Sequence, residues 1–72
     1  MPKLYSSRRI VAVLERNGFV FVSQKGSHAK YRKIVGNRVL TTVVGMAQRE
    51  IFYGTFRSIL KQSRLSEDDF KG

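Results

Sequence analysis

HAKYRKIVGNRVLTTVV, residues 28–44, decides the fold. Two runs rich in β-branched and aromatic residues flank Gly36-Asn37. That dipeptide suits the two-residue loop of a β-hairpin, where positive φ is needed. The stretch therefore reads as two antiparallel strands, His28 to Val35 and Arg38 to Val44. Strand side chains alternate between faces. His28, Lys30 and Arg32 fall on one face, which reads as wet and basic. Ala29, Tyr31, Lys33 and Val35 fall on the other, which reads as partly buried, with Lys33 carrying its charge out on an aliphatic stem.

Upstream, Phe19 to Gln24 has the β-branched and aromatic composition of a further strand. Lys25-Gly26-Ser27 supplies a turn. The three strands make an antiparallel meander. Before them, Ser6 and Ser7 precede Arg8 to Arg16, and serine before such a run reads as a helix N-cap. Ile10, Val13 and Leu14 line one face, with Leu4 or Tyr5 extending it. Asn17-Gly18 closes the helix, because both residues tolerate positive φ. Arg8 and Arg9 oppose the helix dipole, which hints at a binding role.

Downstream of Gln48 the period returns to 3.6 through Phe52, Phe56, Ile59, Leu60 and Ser63. Gly54 interrupts it: either one helix runs through Gly54, or a first turn ends there and Thr55 caps the main helix, and the favoured expectation is a main helix from about Thr55 to Gln62 with a turn ahead of it. Phe52 and Phe56 are expected in the core, and Tyr53 fits either side. Ser66 to Asp69 begins a short last turn that returns Phe70 to the core. The whole reads as one α+β domain over residues 1–72, in the order α-β-β-β-α, with two helices on one face of a three-stranded antiparallel sheet. The other face and the loops are left for function.

Composition narrows the function. Fourteen Lys and Arg face five Asp and Glu, a net charge of +9. Three of the acids are Glu67, Asp68 and Asp69, so residues 1–66 hold thirteen bases and two acids, a net +11. Such an excess calls for a polyanionic partner: RNA, DNA, an anionic membrane surface or an acidic protein. There is no cysteine and one histidine. Disulfides and thiolate metal sites are excluded, and no metal or other cofactor is expected. No stretch approaches the ~20 apolar residues of a membrane span. Met1 to Tyr5 holds no apolar run of the signal-peptide kind, and the cytoplasm is the expected compartment. At this size the core is thin and a deep pocket is not expected, so chemistry would lie on an open surface that suits a large substrate.

His28 is the candidate for that chemistry. Imidazole titrates near neutral pH and can both take and give a proton. RNA brings its own nucleophile, the 2′-hydroxyl. One histidine beside cations that stabilise charge on the phosphate is then a sufficient nuclease without a metal. Lys25, Ser27, Lys30 and Arg32 are the nearest candidates for RNA contacts, with the amides around Gly26 adding an anion-binding turn. From the residues alone a second reading stands beside this one: a surface histidine with no role, in a module that binds RNA without cutting it. Arg57, Lys61 and Arg64 form a basic stripe that fits a solvated face as well as a phosphate track.

The chain resembles the HicA toxins of bacterial toxin–antitoxin systems. The resemblance rests on LERNGF (14–19), QKGSHAKY (24–31), TTV (41–43) and REIFYGTFRSILKQSRLS (49–66), in this order and spacing. It implies a fold like the double-stranded-RNA-binding domain, a catalytic role for His28 in mRNA cleavage, and a HicB-type antitoxin that neutralises the protein by covering the histidine region. The chain departs from the family pattern in three places. Val44 and Met46 stand where the family has proline and a second histidine, and Arg64 stands where glycine is common. Those departures keep a degenerate, RNA-binding toxin as the alternative to an active one.

Overall fold

The computed structural model describes residues 3–71. Its elements are α1 (Ser7–Arg16), β1 (Val20–Lys25), β2 (His28–Val35), β3 (Arg38–Gly45), α2 (Tyr53–Ser63) and a closing 3-10 turn (Glu67–Phe70). The expected α-β-β-β-α order and antiparallel meander are both present, with sheet order β1-β2-β3. β2 has the bounds read from the sequence.

Both hairpins turn on a glycine. Gly26 and Gly36 have φ of +59° and +61°. Each is the first central residue of its two-residue loop, where glycine carries positive φ without a Cβ clash. β1 is irregular: Phe21 pairs with Tyr31 and Ser23 with Lys30, leaving Val22 as an inserted residue. That bulge puts Ser23 and Lys25 on the His28 side of the sheet, and Phe21 on the Tyr31 side.

The core lies between the sheet and the helices. Ala29, Tyr31, Thr42 and Val44 meet Ile10, Val13 and Leu14 of α1 and Phe56 and Ile59 of α2, all buried. Tyr5, Phe56 and Phe70 close one end as an aromatic cluster, the Phe56 and Phe70 rings meeting edge to face at 5.0 Å. Phe70 has no exposed surface, as the sequence led one to expect. Arg9, read from the sequence as a possible binding residue, donates from its guanidinium to the Phe70 carbonyl at 3.0 Å and so helps hold the last turn down.

Two expectations are corrected. α2 begins at Tyr53 and takes in Gly54, so glycine in its first turn does not break it. Glycine costs a helix only about 1 kcal/mol relative to alanine, less than the burial of Phe56 and Ile59 returns. Phe52 is not core: it is 79% exposed at the N-cap of α2, and Ile51 is the residue buried there, at 1% exposure. The extended backbone of the entry to the helix turns Ile51 inward and Phe52 outward, against the 3.6 period that the sequence suggested.

Candidate functional site

The face of the sheet away from the helices is open. β2 directs His28, Lys30, Arg32 and Ile34 to it. The strand register places Lys25, Ser23 and Val20 of β1 beside them on one side, and Gly45, Val43, Thr41 and Val39 of β3 on the other. The face is basic, as its alternation indicated, but it is also apolar. Val20, Ile34, Val39 and Val43 are 62%, 73%, 57% and 40% exposed. Exposed apolar side chains interleaved with cations on one uncovered sheet face have the composition of an interaction surface.

The candidate residues divide by position along β2. Lys25 and His28 are a cross-strand pair flanking the Gly26-Ser27 turn, so Lys25, Ser27 and His28 lie together. Lys30 follows two residues on, about 7 Å along the strand, on the same face. Arg32 lies about 13 Å from His28 along the strand, between Val20 and Thr41. Its Nε is buried and, among the described residues, has no hydrogen-bond partner. Arg32 therefore belongs to the middle of the open face rather than to the histidine end. The His28 side chain is exposed, and among the described residues its imidazole makes no hydrogen bond.

The other side of His28 is shaped by the loop from Met46 to Phe52. The Met46 amide donates to the Ser27 carbonyl at 2.6 Å, which makes His28 and Gly45 a directly facing pair of the non-hydrogen-bonded kind. Side chains approach most closely across such pairs. Gly45 presents no side chain, and the carboxamide of Gln48 fills the vacant space: a Cβ on Gly45 would lie 2.5 Å from Gln48 Nε2. The Gln48 carboxamide thus lies over Gly45, the residue facing His28 in the register, a juxtaposition that sequence reasoning did not find. Met46, the position of the family's second histidine, turns the other way and packs half-buried against the core.

Ser7 anchors that loop. Its hydroxyl is buried at the start of α1, donates to the Gly45 carbonyl at 2.6 Å and accepts from the Gln48 amide at 3.0 Å. The Ser7 amide donates to the Gln48 carbonyl at 3.0 Å. Ser6 is the true N-cap, accepting from the Arg9 amide at 3.1 Å. The tandem serines read from the sequence as one cap therefore do two jobs. Between α1 and this loop runs an open groove of about 750 Å³, lined by Ser6, Arg8, Val11, Met46, Gln48 and Arg49 among others. It opens on the loop that carries Gln48. Ala47, in the same loop, holds a left-handed φ of 61°.

The architecture and its open face define a class: a small, strongly basic α+β domain with one accessible histidine at the start of the central strand of an uncovered sheet. The family model for the HicA toxin of bacterial toxin–antitoxin systems matches residues 7–65, from the first turn of α1 to the end of α2. The chain belongs to the HicA family and is thereby a toxin of a toxin–antitoxin system, for which the family implies an antitoxin partner. No curated protein sequence is similar enough to this chain to count as a match. Among the described residues no helix is long and apolar enough to cross a membrane.

Proposed function

We propose that this protein is an mRNA-cleaving endoribonuclease that needs no metal, with His28 as its general base and acid. The observation that carries the reading is the place of the one histidine: exposed, without a hydrogen-bond partner among the described residues, paired across the sheet with Lys25, and followed on the same face by Lys30. In the reaction, the imidazole takes the proton of an RNA 2′-hydroxyl. The 2′-oxygen then bonds to the adjacent phosphorus, and the bond from phosphorus to the 5′-oxygen breaks. The products are a 2′,3′-cyclic phosphate and a 5′-hydroxyl, the latter protonated by the imidazolium or by water. Lys25 and Lys30 offset the charge that builds on the phosphate. Ser27 and the amides of its turn contact the same group, and Arg32 engages the RNA backbone further along the sheet.

The antitoxin in this reading is of the HicB type and covers the histidine region. The open face suits that role. It offers exposed valines and an isoleucine for burial, interleaved with cations that an acidic partner surface would match. RNA and antitoxin would compete for one surface, which is how inhibition follows without a second site.

Incubating purified protein with RNA, in the presence and absence of a chelator, tests the reading through the ends of the products. Cyclic phosphate ends made in chelator support it. RNA binding without cleavage would instead identify a binding module or degenerate toxin, the reading that the histidine missing at position 46 favours.

A further inference from the structure

The carboxamide of Gln48 has no role in folding that its position explains. The loop is held by the Gln48 backbone: its amide and carbonyl both bond to Ser7. The side chain is free of hydrogen bonds among the described residues. Though Gln48 is exposed, its carboxamide has a defined place. It lies over Gly45, in the space where the side chain opposite His28 would be. Cβ atoms of a directly facing pair are about 5 Å apart, and an imidazole reaches a few ångströms from its own Cβ. A group bound to the imidazole is therefore within reach of Gln48 as well. A carboxamide brings two N–H donors and carries no charge that would oppose an anion.

We infer that Gln48 is a second catalytic residue, donating a hydrogen bond to a non-bridging oxygen of the phosphate that His28 attacks through the 2′-hydroxyl, and that Gly45 lacks a side chain to leave room for it. This inference rests on the ribonuclease reading above. The donor sits opposite Lys25 across His28, so the phosphate is held from both sides. Charge on the non-bridging oxygens grows in the transition state, and a donor fixed there acts mostly on kcat. Gln48 does not titrate, so it sets the rate without altering the pH at which His28 works.

A double-mutant cycle tests this. Gln48→Ala should lower kcat about 100-fold, the scale of losing one preorganised oxyanion donor, with the pH profile and melting temperature unchanged. Gly45→Ala should lower it similarly, because the new methyl displaces the carboxamide. The double variant should be no slower than Gln48→Ala alone, since the methyl then has nothing left to displace. Gln48→Glu, close in size, should be at least as impaired as Gln48→Ala, because its charge repels the phosphate. Full activity in Gln48→Ala, a shifted pH profile, or losses that multiply in the double variant would overturn the inference while leaving His28 in place. A wild-type protein that does not cleave RNA would overturn the ribonuclease reading, and this inference with it.

Discussion

Replacing Ser7 by alanine removes one oxygen and, with it, the tie between α1 and the loop that follows β3. Ser7 is 2% exposed, and its hydroxyl makes its bonds to the Gly45 carbonyl and the Gln48 amide inside the protein. Alanine leaves both backbone groups without their partner. An orphaned buried polar group costs about 1–3 kcal/mol. Alanine returns about 0.5 kcal/mol through its better helix propensity. The backbone bond from the Ser7 amide to the Gln48 carbonyl survives and keeps the loop near. The net loss is about 2 kcal/mol, or about 10 °C in melting temperature for a chain of this length. Ser6→Ala is the internal comparison. It deletes an N-cap bond near the surface and should cost about 1 kcal/mol. Thermal melts followed by circular dichroism will rank the two. Hydrogen exchange should also quicken at the Gln48 and Met46 amides in Ser7→Ala and not in Ser6→Ala. A Ser7→Ala protein no less stable than Ser6→Ala would refute the assignment of the two serines.

Further expectations concern stability. Phe56 is buried among Tyr5, Tyr53 and Phe70, whereas Phe52 faces solvent. Phe56→Ala should cost about 3–5 kcal/mol by denaturant titration, and Phe52→Ala no more than about 0.5 kcal/mol. Arg64 caps α2 with φ of 63°, in the left-handed region that favours glycine. Arg64→Gly should raise stability by about 0.5 kcal/mol, the relieved backbone strain exceeding the added freedom of the unfolded chain; a lower melting point would count against it. Burial, with the Glu15 carboxylate adding to it, holds the Tyr31 phenol above its ordinary value of 10.0. The folded state therefore prefers the protonated phenol. Stability from this source is whole below pH of about 10, and is lost as pH climbs from there through the raised value. Tyr31→Phe should flatten that alkaline decline in urea titrations run at stepped pH; an unchanged slope would contradict the cause given.

The sequence was most legible where period and turn chemistry agreed. The hairpin around Gly36-Asn37 came out at its observed bounds for β2, because alternation and a glycine turn specify the same register. The helix α1 came out through its serine cap and its Ile10, Val13 and Leu14 stripe. What could not be read depended on three-dimensional register. The bulge at Val22 leaves no mark in the residue types. The valines of the open face became visible only once β1 and β3 were aligned on β2. Phe52 followed the helical period but belongs to the extended entry to α2. At the candidate site, His28 was singled out because it is unique and lies beside a glycine turn. Gln48, inferred above to act with it, was not, because it is twenty residues away and its carboxamide lies over Gly45, the register partner of His28. The single available signal was a glycine, Gly45, at the end of the third expected strand.

Whether His28 cleaves RNA is the deciding question. Purified protein and His28→Ala, incubated with the same mRNA in chelator, would be compared by the rate of cleavage and the chemistry of the new ends. The account predicts cleavage by the wild type that leaves 2′,3′-cyclic phosphates, and its loss in His28→Ala with RNA binding retained. Equal cleavage by both proteins, or ends that form only when a metal is supplied, would contradict it.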